Sequence, residues 1–310
     1  MTALPSSDVI RHHVPAGFLF ADASDLATVS AGLSVLLIDR RNRRNRFLLS
    51  PVNSGHWVSH RIEGLAIEVA DDPENWPANL GLYEVHVVDN LRRFERCRFE
   101  AELPVSGRVI WGAWAGLNQA RVRNLLKEGQ DTPDYIPLFS RSGRTYPMPR
   151  ARVRAHLTIR QDDGSDVAAA WAVLRIRSSN RTVGLGIADA NGNVEVGFSY
   201  PDLPQMTAPE AVAGRSNVIW PIRISVHYSG VPTPPQYSAE SFPHEFVDQP
   251  VPPLLSDIMS QLNDPGTTAI RRLGQPGALN NVDMAMGEPL VLRTLRNPNE
   301  YFSSLYIAAN

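Results

Sequence analysis

The chain has 310 residues, of which 43% are hydrophobic and 20% are charged, so it can form the cores of two ordinary domains and is not a disordered protein. A net charge of −2 gives it no general attraction to nucleic acid or to an anionic membrane. Cys97 is the single cysteine, which excludes an intramolecular disulfide and a thiolate metal cluster and indicates a reducing compartment.

The sequence shows neither a targeting segment nor a membrane-spanning one. Its first thirty residues lack a basic segment followed by an apolar core, so we expect no secretory signal. No run approaches the roughly 18 apolar residues that a membrane-spanning helix needs. These features predict a protein that is made in soluble form in the cytoplasm.

Residues 1–16 have the composition of a loose N-terminal arm, and a first β-sandwich module is predicted over residues 17–106. Short apolar runs recur there between turn signals at intervals of about 8–12 residues, which is typical of a β-sandwich and not of a parallel α/β sheet. The predicted strands are Phe18–Phe20, Ala31–Ile38, Arg46–Ser50, Trp57–Ile62, Leu65–Val69, Leu82–Val88 and Arg98–Leu103.

Residues 40–46, which lead from the second of these runs into the third, contain five arginines. A nucleic-acid site would need further basic elements and stacking aromatics on the same face, and neither is evident, so we expect no nucleic-acid partner. The flanking runs instead predict an exposed hairpin tip, at which arginines would contact Asp or Glu side chains of a protein partner. The arginines assigned to this interface are Arg40, Arg41, Arg43 and Arg44.

Residues 107–134 are predicted to link two modules, with a short helix from Leu117 to Lys127. Trp111 and Trp114 lie in glycine-rich sequence at the start of this linker. Because tryptophan is favoured at interface hot spots, the two side chains are candidates for anchoring a partner. The alternative is that they cover the junction between the modules from inside, and the sequence leaves both open.

A second β-sandwich module is predicted over residues 135–230. Its predicted strands are Val153–Arg160, Ala169–Ile176, Val183–Ile187, Val194–Phe198 and Val218–Tyr228. Asn191-Gly192 separates two of these runs, and an Asn-Gly pair typically forms a two-residue type I′ hairpin turn with positive φ at both residues. We therefore predict such a hairpin at Asn191-Gly192.

A Pro-rich extension is predicted over residues 231–310. Seven prolines fall within 22 residues, from Pro232 to Pro253, which excludes regular structure over much of that stretch. One short helix is expected at Leu254–Leu262. The extension ends in two apolar strands, Leu290–Leu295 and Phe302–Ile307.

These two terminal strands are too apolar to remain in water. Burying about four of their large side chains is worth roughly 6–12 kcal/mol, provided that a sheet edge is available for pairing. We favour strand addition to a neighbouring subunit, with Phe302, Leu305 and Tyr306 at the interface, over pairing with the chain's own sheets. On this interpretation, truncation after Gly230 leaves a folded protein that fails to assemble.

Other residues capable of chemistry have simpler interpretations. His56 and His60 are four residues apart, but they lie in a predicted strand without the glutamate of a zinc-protease motif. The residues that follow Asp189 fail the spacing of a calcium-binding loop. Cys97 is expected to be a small buried apolar side chain. We expect no catalytic, metal or cofactor site, and a chain that is not an enzyme.

One segment of the second module has a recognisable family pattern. Gly186-Ile-Ala-Asp-Ala-Asn-Gly-Asn-Val-Glu-Val196 resembles the closing hairpin of carboxypeptidase-regulatory-like or transthyretin-like β-sandwich modules. That family often has Thr where this chain has Ala188. The resemblance implies sandwiches of Ig-like or transthyretin-like type, which serve as accessory or adhesive domains, and no catalytic residue carries over.

A second pattern extends over both modules. Its residues are Tyr83–Asp89, Leu91–Phe94, Phe99–Pro104, Ile136–Ser140 and Ala170–Leu174. They resemble a structural protein family encoded with bacterial contractile injection systems, the phage-tail-like particles, although that family has Gly where this chain has Arg92. The resemblance implies a non-enzymatic component present in multiple copies beside sheath, tube or baseplate proteins, in a particle that is released from the cell.

The residues alone leave a second class of function open. The alternative is a β-sandwich protein that binds carbohydrate or a host surface through the loops at one end. Acidic and aromatic residues on one loop end would favour that alternative. Extended arms buried on other chains would favour assembly.

Overall fold

The described part of the chain forms several β-sheets and one short α-helix, which confirms the mostly-β prediction. The computed structural model describes residues 15–63, 81–103, 135–146, 150–160, 165–179, 181–200, 219–229, 246, 250–263, 270–271, 281–285, 289–292, 294–297, 300–302 and 304–307. Only the backbone is described for residue 160, for residues 270–271 and for the residues given above between 294 and 307. The strand predicted at Leu65–Val69 and the helix predicted at Leu117–Lys127 lie outside the described residues. No helix in the described part of the chain is long and apolar enough to cross a membrane.

Seven strands form the first sheet, in the order β6-β5-β2-β3-β4-β1-β7. They are β1 (Ala16–Asp22), β2 (Leu33–Asp39), β3 (Arg46–Pro51), β4 (His56–Ser59), β5 (Gly81–Asp89), β6 (Cys97–Leu103) and β7 (Ile136–Leu138). Six of them match strands predicted from apolar alternation. β7 was grouped with the second module, but it pairs in parallel with Phe20–Asp22 of β1 and therefore belongs to the first sheet.

The first sheet folds over itself around one core instead of forming two separate sheets. β3 makes the bend, because Arg46–Leu49 pair with β2 whereas Ser50 and Pro51 pair with β4. As a result β1 and β6 face each other across the core, where the rings of Phe18 and Phe99 meet edge to face at 5.5 Å between centroids. This geometry is favourable for aromatic pairs and adds to their burial.

The second part of the chain contributes two further sheets. Their first strands are β8 (Ala151–Arg160), β9 (Asp166–Ala168), β10 (Val173–Ser178), β11 (Arg181–Ile187), β12 (Asn193–Phe198) and β13 (Ile219–His227). The second sheet has the order β11-β10-β13-β15 and the third has the order β12-β8-β19-β14. Alternate residues of both sheets enclose one core, which includes Leu157, Leu174, Phe198 and Ile224.

The turn at Asn191-Gly192 differs from the predicted type I′ hairpin. Gly192 has φ +82°, but Asn191 is not among the residues with positive φ, and type I′ geometry requires both. The Gly192 N–H donates to the Asp189 carbonyl at 3.0 Å, and the Asp189 carboxylate accepts the Asn191 and Asn193 N–H groups at 2.8 Å each. β11 and β12 belong to different sheets, so this turn joins two sheets and not two paired strands.

After β13 the chain forms short elements that complete the earlier sheets. They are α1 (Leu255–Ser260), a 3-10 turn (Gln261–Asn263), β14 (Ile270–Arg271), β15 (Asn281–Ala285), β16 (Leu290–Val291), β17 (Thr294–Asn297), β18 (Glu300–Phe302) and β19 (Ser304–Ile307). The predicted helix is confirmed. Each of the two predicted apolar strands is divided in two, and β17 pairs with β18 as an antiparallel hairpin.

The preference for strand addition to a neighbouring subunit is wrong in this structure. β19 pairs in parallel with His156–Ile159 of β8, and β16 pairs in parallel with Val153 and Arg154 of the same strand. The opposite edge of β8 is filled by β12 and β9. The chain's own third sheet therefore supplies the edge that the apolar strands need, and pairing within the chain avoids the entropic cost of association.

Helix α1 lies between the first sheet and the second. Its apolar side chains share one core with Phe99 of β6 and with Trp171 and Val173 of the second part of the chain. Gln261, which is 1% exposed, reinforces the contact because its side-chain N–H donates to the Trp171 carbonyl at 2.9 Å. The buried apolar residues of this segment are Leu255, Ile258, Met259 and Leu262.

We predict that truncation after Gly230 unfolds the protein, contrary to the expectation from sequence. The cut removes the four buried residues of the α1 segment together with Met284 and Leu292, which are buried in the second core. Six such side chains contribute about 9–18 kcal/mol of transfer free energy, comparable to the whole stability of a domain. Far-UV circular dichroism and urea unfolding check this result. A truncated protein with full-length ellipticity and a cooperative transition would contradict it.

A glycine pair gives a second prediction. Gly192 and Gly143 have nearly the same φ, +82° and +83°, but a Cβ at residue 192 would lie 2.3 Å from the Leu157 carbonyl oxygen, whereas nothing lies within 4 Å at residue 143. Gly143→Ala should cost only the backbone strain of about 1–2 kcal/mol. Gly192→Ala should cost distinctly more, because a backbone atom must move. Equal losses in free energy of unfolding would show that the Leu157 contact is unimportant.

Candidate functional site

The predicted arginine cluster lies at an exposed hairpin tip, between β2 and β3. Arg40, Arg41, Arg43 and Arg44 are all exposed there. The structure therefore brings these four predicted residues together in one loop.

The backbone of this loop is braced by its own side chains. The Asp39 carboxylate accepts the Arg41 N–H at 2.8 Å, and the Asn42 side-chain oxygen accepts the Arg44 N–H at 3.2 Å. Nε of Arg46 donates to the Arg43 carbonyl at 2.9 Å. Such a loop loses little conformational entropy when it docks, which favours its use as a binding element.

Arg40 has a different role from the rest of the tip. Its guanidinium pairs with the Glu100 carboxylate on β6, although both side chains remain partly exposed at 44% and 31%. Ion pairs of this exposure typically contribute less than about 1 kcal/mol. The tip therefore carries four exposed arginines, of which Arg40 is paired with Glu100 on the same sheet.

Strand directions place the tip at one end of the first sheet. β3 begins at the tip, β4 is antiparallel to β3, and β1 is antiparallel to β4. The last residue of β1, Asp22, therefore lies at the opposite end of the first sheet. That end carries the contacts with the third sheet described next.

A buried ion pair joins the segments at this opposite end. Nη2 of Arg144 donates to the Asp22 carboxylate at 2.5 Å, with both side chains 7% exposed. The guanidinium lies between two rings, 4.4 Å from the centroid of Phe94 and 4.7 Å from that of Tyr146. Nη1 of Arg144 also donates to the Ser140 hydroxyl at 3.0 Å. We call the contacts that the loop at residues 140–146 makes with the first sheet and with β12 of the third sheet the seam.

Glu195 of β12 holds the other side of the seam. Its side chain is fully buried, and one carboxylate oxygen accepts the Gly143 N–H at 2.9 Å and Nε of Arg154 at 2.7 Å. The Tyr146 ring packs on Gly197, where a Cβ would lie 2.4 Å from the ring, so only glycine fits. Burial is the main cause that raises the pKa of Tyr146 above its ordinary value.

A narrow cavity lies between the first sheet and α1. It is lined among others by Glu95, Cys97, Trp171, Pro253 and Leu255, and it has room for about one water molecule. Burial raises the pKa of the Cys97 thiol to about 12, so the thiol stays protonated at neutral pH. Cys97 is thus the small buried side chain that the sequence predicts.

Glu95 is the unusual ionisable group of this cavity. Burial, and then the nearby Asp189 carboxylate, raise its pKa to about 7, against a smaller lowering by Arg141 and the Ser142 N–H. The Asp189 carboxylate already accepts three N–H groups in its own turn, from the Asn191 backbone and from the backbone and side chain of Asn193. The raised pKa of Glu95 thus has burial as its main cause and the neighbouring Asp189 carboxylate as its second.

The remaining predicted residues contribute less to the site. Trp111 and Trp114 lie outside the described residues, and of Phe302, Leu305 and Tyr306 only the backbone, in β18 and β19, is described. The described part of the chain contains no group of three or more His, Cys, Asp or Glu side chains placed to hold a metal ion. The seam residues Asp22, Arg144 and Glu195 were not predicted, because no local pattern links residues so far apart in sequence.

Comparisons with known proteins identify no family. No family model matches the chain, and no curated protein matches it. Among solved structures, the Bacillus anthracis TIE protein is similar over 70% of this chain and 29% of that chain, with 8% sequence identity and a TM-score of 0.20. The chain therefore spans less than a third of that protein's length, and a likeness this weak carries no inference about function.

We predict that Glu95 makes stability depend on pH. Its folded-state pKa lies above the ordinary value of 4.5, so the folded protein binds the proton more tightly than the unfolded chain. The contribution is complete below pH 4.5 and is lost as pH rises through about 7. Glu95→Gln should remove this decline, which amounts to about 2–3 kcal/mol after an allowance for partial exposure.

Urea unfolding at several pH values measures this effect. Glu102→Gln, at an exposed position of β6, is the matched control and should keep the wild-type pH profile. If wild type and Glu95→Gln show parallel profiles between pH 4.5 and 8, the Glu95 carboxyl does not titrate as described.

Proposed function

We propose that the protein is a non-enzymatic structural subunit of a large protein assembly and docks on acidic surfaces of neighbouring subunits through the hairpin tip. The observation that carries the proposal is the braced loop with Arg41, Arg43 and Arg44, at the end of the first sheet opposite the seam. Guanidinium groups form paired hydrogen bonds with carboxylates, which gives such a contact geometric specificity.

The seam supports the same proposal from the other end of the molecule. The loop that carries Arg144 is fixed on the first sheet by the ion pair with Asp22, and its Gly143 N–H donates to Glu195 of β12 in the third sheet. Contacts of this kind suit a structural component, which has to keep its binding elements in fixed positions.

The kind of assembly is proposed from the sequence. Tyr83–Asp89, Phe99–Pro104 and Ile136–Ser140, which resemble proteins of contractile injection systems, fall mainly on β5, β6 and β7 of the first sheet. We therefore propose a contractile phage-tail-like particle, with sheath, tube or baseplate proteins as partners and several copies of the chain. In this proposal the chain is made in the cytoplasm and leaves the cell within the particle.

Carbohydrate binding is the less favoured alternative. It would use aromatic and acidic side chains on one loop end, as sugar-binding loops do. The tip at residues 40–45 offers arginine and asparagine side chains instead. No described observation favours this alternative over docking on protein.

Charge reversal at the tip tests the proposal. Particles sedimented from cells that encode the chain should contain the wild-type protein, whereas Arg43→Glu/Arg44→Glu should lower the amount in that fraction at least about tenfold, through like-charge repulsion at the docked surface. Arg43→Lys/Arg44→Lys keeps the charge and is the matched control. Quantitative mass spectrometry of the sedimented fraction gives the readout.

Two results would contradict the proposal. If the wild-type protein stays wholly in the supernatant while sheath and tube proteins sediment, the chain is not a component of the particle. Equal sedimentation of the wild type and the Arg43→Glu/Arg44→Glu variant would show that the tip is not the docking element.

A further inference from the structure

The second sheet turns one face away from the second core, and a row of polar side chains crosses that face. Ile176 of β10 and Ile222 of β13 are buried in the second core. The residues that follow them, Arg177 and Arg223, therefore point to the other face, because side chains alternate along a strand. The row runs from β11 to β15 and consists of Thr182, Arg177, Arg223 and Asn281.

Arg177 and Arg223 are a pair of like charges at the centre of this row. They lie directly opposite each other in the antiparallel register of β10 and β13. Side chains in such positions have Cβ atoms about 4.5–5.5 Å apart, so like charges there repel each other and destabilise the sheet. A negatively charged ligand on this face would relieve the repulsion.

The described part of the chain provides neither guanidinium with a counter-charge. Arg177 and Arg223 make no ion pair or hydrogen bond there, and Nε of Arg177 is buried without an acceptor. Asp283 of β15 lies opposite Pro221, one step along the same face, but among the described contacts it forms no ion pair with Arg223. A buried donor that lacks an acceptor is unfavourable, and a bound ion satisfies it.

The pair is open to solvent on one side. Arg223 is exposed, as is Pro221 beside it on β13, and Arg177 is half-buried. Arg175, the next residue of β10 on this face, is buried, and its Nε donates to the Thr182 hydroxyl at 2.9 Å. The open side of the pair is therefore the one towards Pro221.

An oxyanion with two negative charges matches this pair better than one with a single charge. A guanidinium donates two parallel N–H groups to the oxygens of one anion. A carboxylate has a single charge and two oxygens, which one guanidinium already satisfies. A phosphate monoester carries a charge of about −1.5 to −2 at neutral pH and three acceptor oxygens, so it can engage both guanidiniums at once.

We propose that Arg177 and Arg223 bind a phosphate group on the outer face of the second sheet, as the free ion or as a monoester of a larger molecule. Two paired strands hold the backbone of both arginines in place, so less entropy is lost on binding than in a flexible loop. The site lies on a different sheet from the hairpin tip and does not rest on the proposed assembly function.

Phosphate binding to the full chain tests the site. Equilibrium dialysis with radiolabelled inorganic phosphate, at constant ionic strength, should show saturable binding to the wild type. Arg177→Gln and Arg223→Gln should each bind at least about tenfold more weakly, because each removes charged donors. Arg181→Gln is the matched control and should bind as the wild type does, since Arg181 is exposed and precedes Thr182 on β11, hence points to the other face.

Competition by phenyl phosphate distinguishes the two sources of the phosphate group. If phenyl phosphate displaces the label at a lower concentration than unlabelled phosphate does, the ligand is a monoester whose remainder lies along β13. If it displaces the label at an equal or higher concentration, the ligand is the free ion. Both results support the site.

Circular dichroism checks that each variant is folded. If Arg177→Gln does not fold, Arg223→Gln decides alone, because the native Arg223 side chain is exposed. Absence of saturable binding to the wild type, unchanged affinity of either folded variant of the pair, or an equal loss in Arg181→Gln overturns the site. Sedimentation of the tip variants is unaffected by these outcomes, so failure of the phosphate site is distinguishable from failure of the proposed function.

Discussion

The buried ion pair between Asp22 and Arg144 is the constraint on which the rest of the structure depends. Both charges are nearly excluded from water, so neither can remain unpaired without a large loss of solvation energy. Stacking of the guanidinium between Phe94 and Tyr146 fixes its plane, and Tyr146 in turn requires glycine at residue 197. The loop that leads into the third sheet is therefore held on the first sheet, and its Gly143 N–H donates to Glu195 of β12.

The C-terminal segments add further contacts between the two parts of the chain. Helix α1 places its apolar side chains in a core shared by both parts of the chain. β15 is an edge strand of the second sheet, and β16 and β19 pair with β8 of the third sheet. The segments have too many prolines to form a core of their own, so they are stable only where other sheets provide the partner surface. An extension that looks like an appendage in sequence is therefore part of the interior, and the exposed tip remains the element suited to outside contacts.

Local sequence patterns predicted the elements and residues whose structure is determined by their near neighbours in the chain. β1 to β6, α1, the exposed arginine tip and the buried Cys97 all follow from patterns within about ten residues. The rest depends on contacts distant in sequence. Asp22 and Arg144 are 122 residues apart, and nothing in either neighbourhood indicates the other. The apolar composition of the terminal strands indicated that they pair with a sheet edge, but it did not indicate whether the same chain or a neighbouring one supplies that edge. The turn at Asn191-Gly192 was misassigned because its flanking strands belong to different sheets. Type I′ geometry is favoured where a turn connects two paired strands, and these two strands are not paired.

Hydrogen exchange in increasing denaturant tests most directly whether the seam joins the sheets into one cooperative body. The core amides of β2 and β5 in the first sheet, and of β8 and β10 in the others, report the two parts separately. We predict that all four strands open at the same denaturant concentration and with the same free energy. Opening of β8 and β10 while β2 and β5 stay protected, or the reverse, would show that the parts fold independently and would contradict this account.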